Sequence, residues 1–260
     1  MQRAGLDPAL AKSMYGALAR GIVELLAASA LPPDAHGELA STVTLEPALV
    51  AAIDTALARG PLVLLASHTG NWELAAGAAG RILAARGRRL VIVAKRQSAS
   101  GVDAFIMRLR ERLGVRVVVA DAGVLAACRA AFASGDVVVL PIDQVPDRSA
   151  HALSMTFLGE HALVDRAPAT LAFRAGATAL VLATERLADG EQLVRLLGAL
   201  PPVAGARSAQ WIADTTTTAT RVLDAFILAR PSGWLWTHRR WRRPRREILS
   251  SSASQVTSAR

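Results

Sequence analysis

The chain has 260 residues, of which 52% are hydrophobic, 20% charged and 4% aromatic, and its formal net charge is +9. This length suffices to bury a substantial core, and so apolar a composition without low-complexity stretches excludes a disordered chain. The single cysteine, Cys128, excludes an internal disulfide bond and a thiolate cluster for zinc or iron–sulfur.

The N-terminal region predicts an amphipathic helix over about residues 8–29, which ends before the two prolines at 32–33. Its apolar residues recur at steps of four, four, four and three, and they are Leu10, Met14, Leu18, Ile22 and Leu25. This face can pack on the body of the protein or lie on a membrane surface, and the pattern leaves both open. No stretch reaches the roughly 18 uninterrupted apolar residues of a membrane span, and no signal peptide is predicted. We assign residues 1–45 to this helical segment.

From residue 46 onward, helical segments alternate with short, continuously apolar strands. The predicted helices span about 46–59, 72–86, 101–113, 122–134 and 165–175. The predicted strands span 62–66, 89–94, 115–120, 136–142 and 177–183, with a long loop before the last helix. Strands that are apolar on both faces and alternate with helices predict an α/β fold. We expect a three-layer αβα sandwich around a largely parallel, mixed central sheet.

Polar residues follow every predicted strand. In open α/β sheets, ligands bind beyond the carboxyl ends of the strands, so these residues are expected to share one rim. They are, strand by strand, Ser67 and His68, Lys95 and Arg96, Asp121, Asp143 and Gln144, and Thr184 and Glu185.

His68 and Glu73 are the catalytic candidates on this rim. Five positions on a continuous helix would point the two side chains apart, so they meet only if His68 lies on a turn before the helix. Gly70 permits such a turn and Asn71 is a good N-cap. The Glu73 carboxylate would then accept one ring N–H of His68 and leave the other nitrogen as a base. The alternative is a capping segment with a solvent-facing histidine.

Other catalytic patterns are missing from the sequence. It contains no H-E-x-x-H motif, no Cys/His array and no Gly-x-Ser-x-Gly nucleophile motif. Cys128 stands in an alanine-rich helical segment, where a buried position is predicted. The sequence therefore predicts neither a metal ion nor a cofactor.

Six segments, in order, resemble the lysophospholipid acyltransferase superfamily, and more narrowly its lipid A late acyltransferases (the lauroyl and myristoyl transferases of lipopolysaccharide assembly). The His-x4-Glu segment matches the superfamily's His-x4-Asp/Glu signature, and together the segments cover roughly residues 13–244. They read MYGALARGIVELL, HTGNWE, AFIMRLRERLG, SGDVVVLPIDQ, MTFLGEHALVDRAPATLAFRAGA and WLWTHRRWRRP.

The resemblance implies an acyltransferase-type fold for residues 46–247. Residues 248–260 are expected to be a disordered tail, because the final stretch SSSASQVTSAR has nothing to bury. The resemblance also implies that His68 deprotonates an acceptor hydroxyl, which attacks the thioester of the acyl donor directly, and that Glu73 orients and polarises His68. No acyl-enzyme is required. The donor is expected to be a thioester of acyl carrier protein or coenzyme A, and the acceptor an anionic, lipid A-type glycolipid.

Further residue roles follow from the same resemblance. Asp143 matches the conserved aspartate of the family, and either Arg108 or Arg110 matches its arginine, with the register left open. Phe157 would lie near the acyl channel, or equally in the core. The implied substrate-binding residues are Gly70, Asn71, Arg96, Arg108, Arg110, Asp143, Gln144, Phe157, His238, Arg239 and Arg240.

The positive charge belongs to one end of the chain. Residues 239–260 hold seven arginines and one glutamate and contribute +6, which leaves +3 for the preceding 238 residues. Beside the acyltransferase motifs, this tail is expected to bind anionic lipid at the cytoplasmic face of the bacterial inner membrane, as a peripheral protein. A nucleic-acid-binding role for the tail is the remote alternative, and nucleic acid is not expected as a partner. Phosphatidylinositol-mannoside acyltransferases share similar segments, so another glycolipid or a pigment also remains open as acceptor.

Overall fold

The computed structural model describes residues 6–31, 42–146, 149, 152–238 and 240–241. The elements in chain order are α1 (Leu10–Ala30), β1 (Val43–Leu45), α2 (Pro47–Arg59), β2 (Leu62–Ala66), α3 (Trp72–Ala84), β3 (Leu90–Ala94), α4 (Ser100–Arg112), β4 (Arg116–Val119), α5 (Val124–Ala133), β5 (Val137–Pro141), β6 (Ala152–Phe157), β7 (Glu160–Asp165), α6 (Ala167–Ala175), β8 (Thr178–Arg186), β9 (Gln192–Leu200), α7 (Ser208–Ala229) and a 3-10 turn at Pro231–Gly233.

A mixed seven-stranded sheet runs in the order β1-β9-β8-β2-β5-β3-β4. Five neighbouring strands, from β8 to β4, are parallel, whereas β9 pairs antiparallel with β8 and in parallel with β1. The carboxyl ends of those five strands therefore meet at one edge of the sheet. The α/β class and the largely parallel, mixed sheet are confirmed.

Both faces of the sheet are covered, as the apolar strands predicted. On β2, Leu62 and Leu64 are buried in a cluster with α2, α3 and α4, while Val63 and Leu65 are buried in a second cluster with α6 and α7. Helix α5 covers the far part of the sheet, and its Cys128 is 1% exposed there. Alternate residues of one strand thus contact opposite helical layers, which makes the domain a three-layer sandwich.

Helix α1 packs on the body through most of the predicted stripe, but Ile22 of that stripe is 50% exposed and lies on the uncovered side. Met14 is buried, and the helix contacts the Pro231–Gly233 turn and α4. A neighbouring stripe on α1 is apolar but uncovered, with each side chain between 50% and 63% exposed. We call this stripe the outer face of α1; its members are Tyr15, Ile22, Val23 and Leu26. Among the described residues, no helix combines the length and the hydropathy that crossing a bilayer requires.

The structure corrects the predicted loop before the last predicted helix. Part of that loop is the antiparallel hairpin β6–β7, whose burial alternates along each strand. One half-exposed hairpin shows no continuous apolar run, so the pattern that revealed the central strands missed it.

The structure also adds β1, β9 and α7, for which no element was predicted. Helix α7 contains four consecutive threonines, and β-branched residues disfavour a helix. Packing of one α7 face against the sheet overrides that preference, and the hydroxyls of Thr216 and Thr220 donate to carbonyls one turn earlier, at 2.7 and 2.8 Å.

Candidate active site

The site lies where the two central strands β2 and β5 end. Their register pairs Ala66 with Pro141, so the next residues of each strand meet across the rim. His68 Nδ1 is 2.9 Å from Oδ1 of Asp143, and the His68 backbone N–H donates to Oδ2 at 2.7 Å. The Asp143 side chain is fully buried, whereas the His68 side chain is 18% exposed.

Asp143 is held in place by three hydrogen bonds. Besides the two bonds from His68, the indole N–H of Trp234 donates to Oδ2 at 2.9 Å. Burial alone would raise the pKa of Asp143, but the charge and hydrogen bonds of His68 outweigh it and keep this pKa well below its usual range. Asp143 is therefore a carboxylate at neutral pH and accepts the Nδ1 hydrogen of His68.

The carboxylate sets the tautomer of His68. Because Nδ1–H donates to Asp143, the lone pair of the neutral ring lies on Nε2, and the side chain is partly exposed. Burial would lower the pKa of His68, but the charge and hydrogen bond of Asp143, followed by the charge of Glu73, raise it above the ordinary 6.5. His68 thus has the geometry of a general base.

Glu73 does not make the predicted contact with the His68 ring. Its carboxylate, 5% exposed, forms a bidentate pair with Arg110 at 2.7 and 2.6 Å, and it accepts the indole N–H of Trp72 at 3.2 Å. The orienting hydrogen bond to His68 comes from Asp143 instead, because adjacent strand ends bring Asp143 to Nδ1. Glu73 acts on His68 through its charge.

The two candidate arginines lie on different sides of α4, and the assignment of one of them as the family arginine stays a prediction. Arg110 faces Glu73 and is 13% exposed, whereas Arg108 lies on the exposed side of the helix. Arg96 is 70% exposed, pairs with Asp103 at 3.3 Å and lines the same cavity as Arg110.

The turn between β2 and α3 is built as the sequence predicted. Gly70 has φ +56°, and Asn71 caps α3 by accepting the backbone N–H of Leu74 at 3.3 Å. A Cβ on Gly70 would lie 2.8 Å from Cγ2 of Thr184, so the turn fits tightly against β8. The resemblance implied that Gly70 and Asn71 bind substrate. In the structure, the contacts described for both residues are with other residues of the chain.

Asn71 also joins the site to α1. Its side-chain amide donates to Glu24 at 3.0 Å, and its backbone N–H donates to the Gln192 side chain at 2.6 Å. Glu24 is held in addition by both terminal nitrogens of Arg186, each at 2.7 Å. No sequence motif indicated Glu24 or Gln192, because they come from segments 47 and 121 residues away from Asn71.

The C-terminal segment pairs with the histidine turn. Gly70 N–H donates to Gly233 O at 2.8 Å, Leu235 N–H donates to His68 O at 3.0 Å, and Thr69 forms an isolated antiparallel bridge with Trp234. This pairing places the Trp234 indole on Asp143. The Trp234 side chain is 1% exposed, and its indole adds a hydrogen bond to the site.

The remaining predicted residues surround this segment. The His238 ring stands edge-on to the His68 ring with centroids 4.5 Å apart, and Phe157 is buried in the core between Trp234 and Arg240. Gln144 is half-buried next to Asp143. Arg239 lies outside the described residues, as does the basic tail from residue 242 onward.

One group at the site has the composition of a metal-ligand set. His68, Asp143 and His238 each offer one ligand atom, and these atoms lie within 4.8 Å of one another. The sequence-based expectation of a metal-free protein stays a prediction.

Comparison with known proteins identifies a family. The model of a family described as bacterial lipid A biosynthesis acyltransferase matches residues 7–243. This range contains every site residue described above. No curated protein matches the chain.

Proposed function

The chain belongs to the bacterial lipid A biosynthesis acyltransferase family, and from that premise we propose that it moves a fatty acyl chain from a thioester to a hydroxyl of a lipid A-type glycolipid. The thioester is that of acyl carrier protein or coenzyme A. One observation carries the mechanism: the Nδ1 atom of His68 is held by a buried carboxylate, which leaves Nε2 as a base at the rim of the sheet.

The proposed reaction is direct transfer. Nε2 of His68 removes the proton of the acceptor hydroxyl while its oxygen attacks the thioester carbonyl carbon. The tetrahedral intermediate then collapses, the carbon–sulfur bond breaks, and His68 returns the proton to the leaving thiolate. Asp143 stabilises the imidazolium that exists between these two steps, because the carboxylate already accepts its Nδ1–H.

The first turn of α3 supports this chemistry. Helix α3 begins at Trp72, four residues after His68, and the first N–H groups of a helix have no partner inside it. Such N–H groups stabilise an oxyanion like the one that develops on the thioester carbonyl. The buried pair of Glu73 with Arg110 fixes this first turn next to the base.

Association with a membrane surface is part of the proposal. The outer face of α1 presents four apolar side chains, and Glu24 on the same helix bonds to Asn71 at the start of α3. A lipid surface on that face would contact the helix that is bonded to the start of α3, so an acceptor held in the membrane would lie close to the turn that carries His68.

Substitution of His68 tests the function. We expect His68→Ala to reduce acyl transfer from labelled acyl carrier protein or acyl-CoA by about 10²–10⁴-fold, because general-base catalysis is lost. The matched control is His161→Ala, which removes an exposed histidine on β7. Mass spectrometry of the lipid product shows whether the acyl group is an ester on a lipid A-type acceptor or on another glycolipid. Unchanged transfer by His68→Ala would refute the mechanism.

A further inference from the structure

Four buried nitrogen atoms of residues 238–241 lack a hydrogen-bond partner among the residues that the structure describes. They are His238 Nε2, Arg240 Nε, Arg240 Nη2 and Trp241 Nε1. Buried polar groups in folded proteins are nearly always paired, and an unpaired buried group costs free energy. A cluster of four within four consecutive positions therefore requires an explanation.

Arg240 is the centre of the cluster. The residue is 1% exposed, its Nη1 donates to Leu163 O at 2.6 Å, and the Phe157 ring covers its guanidinium face at 4.9 Å. The edge formed by Nε and Nη2 is left unpaired. Two parallel N–H groups on one guanidinium edge match two oxygens of a single phosphate or carboxylate.

Among the described residues, no carboxylate forms an ion pair with Arg240. Burial lowers the pKa of Arg240 to about 10, so the guanidinium is still protonated at neutral pH. The negative charge of Asp143 raises the pKa of Arg240, but the Asp143 carboxylate makes its hydrogen bonds to His68 and Trp234. The pKa of His238 falls to about 4 through burial and the neighbouring charge of His68, so this ring is neutral.

All three side chains offer hydrogen-bond donors, and Arg240 carries a positive charge that acts on the neighbouring His238. Arg240 and the Trp241 indole can only donate, and the neutral His238 ring donates from Nε2 in one of its tautomers. We propose that His238, Arg240 and Trp241 form a subsite for a phosphate-type oxyanion of a substrate. The inference rests on the proposed function, which supplies two anionic substrates.

The proposed subsite lies next to His68, the general base. The His238 ring is 4.5 Å from the His68 ring, and the Trp234 indole, which bonds to Asp143, is 6.4 Å from the Trp241 ring. The donors are buried in this conformation, so binding of the anion requires that they become accessible. Exclusion of water strengthens charge-assisted hydrogen bonds once the anion is in place.

Two substrates can supply the oxyanion. One source is a phosphate on the acceptor glycolipid, and the other is the phosphodiester of the donor's phosphopantetheine arm. Paired substrates distinguish them: acceptor with and without its phosphate, and acyl-phosphopantetheine against acyl-pantetheine.

The test compares Arg240→Gln with wild type on these four substrates. We expect KM for one phosphate-bearing substrate to rise about 10–100-fold, because a bidentate charge-assisted contact is lost, and this penalty to vanish on the matching phosphate-free substrate. Arg129→Gln, which removes an exposed arginine of α5, is the charge-matched control and should leave KM unchanged. Trp241→Phe removes a single N–H and should act in the same direction by less than about tenfold.

An equal penalty on phosphate-bearing and phosphate-free substrates would overturn the subsite, since Arg240 would then serve packing alone. If Arg240→Gln does not fold, as judged by near-ultraviolet circular dichroism, Trp241→Phe decides. Calorimetric titration with inorganic pyrophosphate gives a readout that needs no turnover. Equal pyrophosphate affinity in wild type and Trp241→Phe would also refute the subsite, whether or not acyl transfer is observed.

Discussion

At the scale of single residues, the site depends on how one carboxylate is held. Asp143 is fully buried, yet it stays ionised because three N–H groups donate to its two oxygens. It cannot rotate without breaking these bonds. The orientation of the His68 ring is therefore fixed before any substrate binds, which lowers the cost of reaching the transition state.

The pH dependence of the reaction follows from this contact. His68 acts as a base only when neutral, and its pKa is raised above 6.5, so kcat/KM should rise with pH with a midpoint above 6.5. In Asp143→Asn, burial still favours the neutral ring while the raising influence of the carboxylate is gone. We expect the midpoint to move to lower pH and kcat to fall about 10²–10⁴-fold.

The control for this profile is Asp121→Asn, which neutralises an exposed acid on the same rim, beyond β4. It should leave both the midpoint and kcat unchanged. A midpoint that stays in place in Asp143→Asn would show that Asp143 does not determine the protonation of His68.

At the scale of elements, the turn from β2 to α3 depends on Gly70, which packs too closely against Thr184 to accommodate a side chain. Gly70→Ala would place a Cβ 2.8 Å from Thr184, at a φ of +56° that side chains disfavour. We expect a loss of about 2–4 kcal/mol in the free energy of unfolding, measured in urea, and at least tenfold lower activity because the turn carries His68.

Gly87→Ala separates the two causes of that loss. Gly87 has φ +68° in the turn after α3, and a Cβ there would meet no atom within 4 Å. Backbone strain alone should cost about 1–2 kcal/mol and leave activity unchanged. Equal losses for the two substitutions would show that contact with Thr184 does not constrain the turn.

The elements also show what the sequence could predict. Strands such as Leu62–Ala66 were predicted within one residue because both faces are buried and every position is apolar. The cap at Asn71 followed from local chemistry alone. The hairpin β6–β7 and helix α7 were missed because tertiary packing, rather than their own pattern, determines them.

The partner of His68 could not be predicted in the same way. The nearby Glu73 was the candidate because spacing along the chain was the available information. Asp143 lies 75 residues away, and only the strand order, with β2 beside β5, brings it to Nδ1. The family resemblance had implied that Asp143 is a site residue. Its hydrogen bond to His68 became visible only with the strand order of the sheet.

At the scale of the whole molecule, the outer face of α1 is a group of exposed apolar side chains. The outer face of α1 gathers four apolar side chains on one side of a helix, while other exposed apolar residues, such as Leu125 and Val203, are scattered. A gathered apolar face suits a lipid interface, and scattered residues are normal for any protein surface.

Replacing the aliphatic residues of this face tests membrane binding. We expect the triple variant Ile22→Ser, Val23→Ser, Leu26→Ser to reduce partitioning onto anionic phospholipid vesicles at least tenfold, since each buried aliphatic side chain contributes about 1.5–3 kcal/mol when fully transferred. Flotation of vesicles measures this partitioning. The double variant Leu125→Ser, Val203→Ser is the control, and equal binding by both variants and wild type would exclude α1 as the contact.

The pairing of the C-terminal segment with the histidine turn has a consequence for biosynthesis. The chain emerges from the ribosome with His68 and Asp143 long before Trp234, yet Trp234 N–H and Leu235 N–H complete their hydrogen bonds. A nascent chain that has already formed most of its sheet therefore has an unfinished catalytic centre. The centre is complete only after Leu235 has been synthesised and paired with the histidine turn, so products that terminate before Trp234 lack these hydrogen bonds.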